Sequence, residues 1–131
     1  MSTEKVMLYA DDDYEDTLWV IEVCKALNFF HRIQFVENGR LVLVYLNSNP
    51  LLLPSLIILD LNMPVLDGKQ TLQKLKSSLA YSSIPVAVFT TSACKWDEKI
   101  CMQLEAAMFL TKPDTATDWK TNLKKIVALI T

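Results

Sequence analysis

The chain reads as an α/β protein with a doubly wound, five-stranded parallel sheet in the order 2-1-3-4-5 and five helices. Three observations lead there. Residues 56–59 (LIIL) form an apolar block too short for a buried helix, as a central strand covered on both faces requires. Short β-prone blocks then alternate with segments of helical periodicity along the whole chain. The 131 residues are 51% hydrophobic, enough for one domain with a proper core and too apolar for a disordered chain.

Taken in order, residues 5–10 (KVMLYA) are a first buried strand running into Asp11, Asp12 and Asp13. Residues 14–29 carry Leu18, Val20, Ile21, Val23, Cys24 and Leu27 at helical spacing, with Asp13 as N-cap and Asp16 completing a capping-box-like pair. Residues 32–36 (RIQFV) alternate as a second strand, and Asn38-Gly39 turns the chain into a short helix over 40–46. Pro50 and Pro54 keep 47–54 a loop. The central strand ends at Asp60, above a stretch that Pro64 and Asp67-Gly68 bar from extended pairing.

A third helix follows over 69–79, with Leu72, Leu75 and Leu79 on one side. Residues 86–90 are a fourth strand ending in the hydroxyls of Thr90, Thr91 and Ser92. Then come a helix over 95–107, a strand over 108–111 followed directly by Lys112-Pro113, and a last helix over 115–130.

In such a sheet, ligand sites lie outside the carboxyl ends of the strands. Those ends carry Asp11 and Asp12, Asp60, Thr90 and Lys112. Three crowded carboxylates repel one another, and a hard divalent cation such as Mg²⁺ resolves that crowding. Lys112 and Thr90 suit a phosphoryl oxygen as cation and hydroxyl donor. No Gly-rich loop is present to cradle a nucleotide. A carboxylate can itself be a nucleophile and form an acyl phosphate, which is the sharper reading of Asp60 against a plain strand-ending cap.

The motifs LYADDD, LIILDLNMPVLDG, IPVAVFTTS and FLTKP, in that order and across nearly the whole chain, resemble the receiver domain of two-component response regulators. The resemblance is to the stand-alone, CheY-like type with its flavodoxin-like fold. It implies that Asp60 is the phosphorylation site, fed from a histidine kinase or a histidine phosphotransfer protein. Asp11, Asp12, Asp60 and the carbonyl of Asn62 would form the Mg²⁺ site, with Asp12 a direct ligand. Thr90 would be the switch hydroxyl, Lys112 the phosphate-binding lysine and Phe109 the switch aromatic. Such a domain is no enzyme toward other substrates and catalyses only its own phosphorylation and dephosphorylation. The signal would leave through the face made by the fourth helix, fifth strand and fifth helix, to a downstream target or a second copy. Trp96 is the expected anchor there.

Some positions depart from the family pattern. Glu105 stands where the family usually has glycine, Tyr14 where many members have proline, and Ser92 where some carry an acid. Plainer readings apply elsewhere. Asp13, Glu15 and Asp16 read as cap and solvated first-turn residues, and His31 as a surface residue. Trp19 and Trp119 read as core, and Lys120, Lys124 and Lys125 as a solvated face.

The net charge of −2 gives no case for nucleic acid, and no apolar run is long enough to span a membrane. The N-terminal MSTEKV has no signal-peptide layout, and Cys24, Cys94 and Cys101 read as reduced thiols of a cytoplasmic protein. Residues 1–131 are expected to be a single receiver domain without an output domain. Two rivals remain. A degenerate receiver could serve as a constitutive docking module. An aspartyl-phosphate phosphatase of the haloacid dehalogenase type is the other, although Asn62 stands where that class places its second aspartate.

Overall fold

The structure is a computed structural model that describes residues 5–130; the MSTE portion of the N-terminal reading lies outside them. Ten elements alternate: β1 (Val6–Ala10), α1 (Tyr14–Ala26), β2 (Arg32–Val36), α2 (Gly39–Ser48), β3 (Leu56–Leu59), α3 (Gly68–Lys76), β4 (Val86–Thr90), α4 (Lys95–Gln103), β5 (Met108–Thr111) and α5 (Ala116–Val127). The strands form one sheet in the order β2-β1-β3-β4-β5, and every pair is parallel. The topology expected from the sequence is therefore the one observed.

Strand alternation divides the core in two. Leu8, Ala10, Ile57, Leu59, Val86 and Val88 face α2 and α3, where Val42, Leu46, Leu72 and Leu75 close the layer. Met7, Tyr9, Ile58, Ala87 and Phe89 face α1 and α5, against Val20, Val23, Cys24, Trp119, Leu123 and Ile126. β1, β3 and β4 are buried along their whole length. That is why their sequences are continuous apolar blocks.

Most differences from the sequence expectations lie at helix ends. α1 stops at Ala26, because Asn28 turns left-handed at φ 56°. α2 begins one residue earlier and ends two later than expected, with Asn38 as its N-cap and not merely a turn residue. α3 ends at Lys76, so Leu79 has no core to face and is fully exposed. α5 starts after Thr115, whose hydroxyl accepts from Asp118 N as the cap. Leu18 and Trp19 of α1 are also more exposed than helical spacing suggested. Trp19 stacks on buried Trp119 with ring centroids 6.2 Å apart, yet leaves 43% of its surface in water.

α4 stops at Gln103, four residues short of the expected end. Glu105 takes the left-handed conformation at φ 69°, and this lets Glu105 N and Ala106 N bond back to Met102 and Cys101 carbonyls. A non-glycine residue there costs on the order of 1 kcal/mol. Glu105→Gly is therefore expected to stabilise the domain by about that amount, a rise of roughly 3–5 °C in Tm. Thermal melts check this, and an unchanged or lower Tm would mean that the turn carries no strain.

Candidate functional site

The site assembles where the sheet's strands end. Asp11 follows β1, and its N–H donates to Val36 O of β2 (3.0 Å). Asp60 follows β3, and its N–H donates to Ala10 O (3.0 Å). Lys112 follows β5, with its N–H on Thr90 O (2.6 Å). Sheet pairing thus holds these residues at one edge through main-chain bonds.

The loop after Asp60 is held equally firmly. Leu66 N bonds to Pro64 O (2.7 Å) across Val65, which has φ 68°, a γ-turn conformation rare for a β-branched residue. Gly39 N reaches Leu66 O and Gly68 N reaches Leu61 O. Asp67 and Gln70 close a reciprocal capping box at the start of α3. Gly68 is needed for close approach, since a Cβ there would lie 2.2 Å from Asp60 O. The first turn of α3 therefore packs against the peptide that presents Asp60.

Within this frame Asp11, Asp12 and Asp60 each offer a carboxylate oxygen, all within 4.8 Å of one another. Asp11 and Asp60 are buried, and Asp12 is exposed. Lys112 Nζ, itself buried, donates to Asp11 Oδ2 at 2.6 Å, Asp16 Oδ2 at 2.7 Å and Asp60 Oδ2 at 3.2 Å. Asp11 Oδ1 accepts from Asp13 N (2.9 Å) and its Oδ2 from Tyr9 OH (3.2 Å). Asp60 Oδ1 faces Asn62 N at 3.4 Å.

Burial pushes the Asp11 carboxyl up to about 6 against the opposing pull of Lys112. Burial alone would lower Lys112, but the hydrogen bonds it donates to Asp11 and Asp16 outweigh that and hold it well above the usual lysine range. Tyr9 is also raised, by burial and then by the Asp11 charge. Three carboxylates hold one ammonium and Asp12 stands beside two of them, so the pocket carries surplus negative charge. Its all-oxygen donor set, with two partly or fully buried acids beside an exposed one, fits a hard divalent cation.

Of the residues singled out in the sequence, Asp11, Asp12, Asp60 and Lys112 come together. Thr90 is fully buried at the end of β4, and its Oγ1 accepts from Ser92 N at 3.4 Å. Asn62 is exposed beside Asp60. Ser92 Oγ donates to Asp97 Oδ2 (2.6 Å), and Lys69 pairs with the same aspartate. The loop after Thr90 is thereby tied to both α4 and α3. Phe109 is half-buried in β5 and Trp96 is exposed on α4.

Two members of the site were not read from the sequence. Tyr9 lies two residues before Asp11, and period-2 alternation places both on one side of the strand; that signal was available. Asp16 corrects an expectation. It is not a solvated first-turn residue, because Asp13 alone caps α1 by accepting from both Glu15 N and Asp16 N. The Asp16 carboxylate is free to turn inward onto Lys112.

Known proteins share the family and the fold of this chain. The family model described as "Response regulator receiver domain" matches residues 7–124. Response regulator Rcp1 of Synechocystis is 32% identical over 120 residues, covering 87% of this chain and 80% of that protein. The crystal structure of Rcp1 in its Mn²⁺-bound form superposes with a TM-score of 0.86 at 30% identity, covering 95% of this chain and 92% of that one. The phosphorylated cyanobacterial phytochrome response regulator RcpA superposes with a TM-score of 0.89 at 26% identity, over 98% and 94% of the two chains. Among the described residues no helix is long and apolar enough to cross a membrane.

Proposed function

Because the chain belongs to the response regulator receiver domain family of two-component signalling, we propose that it works as a phospho-acceptor switch with Asp60 as the acceptor. The observation that carries this reading is the approach of Lys112 Nζ to Asp60 Oδ2 (3.2 Å) inside a carboxylate cluster open to solvent on the Asp12 side. Receiver domains interact with histidine kinases or phosphotransfer proteins, and the donor here would be a phosphohistidine on such a partner. An Asp60 carboxylate oxygen bonds to phosphorus as the phosphorus–nitrogen bond breaks, and the leaving imidazole takes up a proton.

The transition state of such a transfer is loose, so the domain's contribution is positioning and charge. Lys112 donates to a phosphoryl oxygen. Asp11, Asp12, Asp60 and the Asn62 carbonyl would hold Mg²⁺, as receiver domains hold Mg²⁺ or Mn²⁺ in an acidic pocket. A bound cation supplies neutralisation of the carboxylates and of the phosphoryl oxygens. The RcpA and Rcp1 structures support the reading, one being phosphorylated and the other Mn²⁺-bound.

Thr90 lies at zero exposure next to a loop pinned by the Ser92–Asp97–Lys69 chain. Drawing its hydroxyl toward the phosphate would strain that chain and bias the face of α4, β5 and α5, where exposed Trp96 and half-buried Phe109 lie. That face is the proposed contact for a target or a second copy.

Incubation with a small phosphodonor and Mg²⁺, followed by intact mass measurement, tests the reading. One phosphate adduct is expected, absent when a chelator is added. A protein that stays unmodified would be a docking module, and steady release of phosphate from a monoester would mark a phosphatase. Sedimentation of the two forms from the same sample shows whether phosphate drives self-association.

A further inference from the structure

We infer that Asp16 is a positioning residue for phosphoryl transfer, tethering Lys112 beside the acceptor carboxylate from the first turn of α1. The inference rests on the phospho-acceptor reading of Asp60 and adds a residue to it. A lysine ammonium has three N–H donors and no acceptor. Here three carboxylates share them, at 2.6 Å (Asp11), 2.7 Å (Asp16) and 3.2 Å (Asp60). The two short bonds hold the ammonium, and the long one points at the reacting group.

Asp11 and Asp60 both belong to the three-carboxylate cluster, whereas Asp16 stands outside it. Charge arriving in the cluster, as a cation or as a phosphoryl group on Asp60, alters the claim of Asp11 and Asp60 on the ammonium. Asp16 makes its 2.7 Å bond from outside that cluster. Asp16 is also released from the duty its sequence position suggests, because Asp13 caps α1 by accepting from Glu15 N and Asp16 N. Its side chain is only 17% exposed and that of Lys112 is 3% exposed, so water competes weakly for the pair.

A lysine on a flexible four-carbon stem loses its orientation readily once such an anchor is removed. Misplacement of a catalytic group by about 1 Å can cost on the order of 100-fold in rate. Loss of one of two short anchoring bonds is a smaller disturbance, so we expect a change of about tenfold.

The test measures Mg²⁺-dependent phosphorylation of the full chain by acetyl phosphate, at a temperature where each variant is folded by circular dichroism. Asp16→Ala is expected to lower the maximal rate about tenfold while the half-saturating donor concentration moves by less than about twofold. Asp16→Asn keeps an acceptor without the charge and should fall between that variant and wild type. In a Lys112→Gln background, Asp16→Ala should change the rate by less than about twofold, because the group it positions is gone. A wild-type protein that forms no adduct would overturn the phospho-acceptor reading itself. An adduct formed at the wild-type rate by Asp16→Ala would overturn the positioning role alone. An equal loss in both backgrounds would also overturn it, since Asp16 would then act without Lys112.

Discussion

Asp60→Asn is expected to abolish the phosphate adduct while leaving the fold in place. Three carboxylates share the pocket, and their surroundings separate them. Asp11 has no side-chain exposure, and both its oxygens are engaged, by Asp13 N on one side and by Tyr9 and Lys112 on the other. It is a poor nucleophile for want of a free lone pair facing solvent. Asp12 is exposed and lies on the open side of the cluster. Asp60 combines burial with loose engagement, its bonds lying at 3.2 and 3.4 Å. It also follows a fully buried central strand, with the first turn of α3 packed on its carbonyl.

Asparagine keeps the shape and an acceptor for Lys112 but cannot form the acyl phosphate. Intact mass spectrometry after incubation with acetyl phosphate and Mg²⁺ gives the readout, with circular dichroism confirming the fold. An adduct of undiminished yield on the variant would move the acceptor elsewhere, with Asp12 the next candidate.

Lys112→Met is expected to cost about 3 kcal/mol in metal-free protein, or roughly 10 °C in Tm. The physical cause is the removal of the one cation among Asp11, Asp16 and Asp60. Breaking a buried ion pair from one side leaves uncompensated charge, which typically costs about 3–5 kcal/mol. The lower end applies because Asp16 is 17% exposed and reaches some water. Added Mg²⁺ should restore part of the loss by neutralising the same carboxylates. Melts with and without Mg²⁺ measure both effects. A variant as stable as wild type in chelator would show that the carboxylates separate or take up protons at little cost, and that Lys112 is not what holds the apo pocket together.

The sequence by itself determined the sheet and the placement of the candidate site. Blocks such as LIIL and VAVFT can be continuous only if both faces are covered, and their alternation with helical segments leaves a parallel sheet as the natural solution. Once the strand order is set, Asp11, Asp60, Thr90 and Lys112 reach one edge because each ends or follows a strand. The tertiary structure decided what local patterns do not encode. Helix ends moved where the chain turned left-handed at Asn28 and Glu105, since periodicity reports a face and not a stop. Leu79 and Trp19 carried an apolar signal without full burial, because burial depends on what the neighbouring element offers. Asp16 reached Lys112 across 96 positions of sequence. Its spacing from Asp13 could only suggest a helix cap; the packing of α1 against α5, which follows Lys112 in the chain, goes with the carboxylate reaching the ammonium.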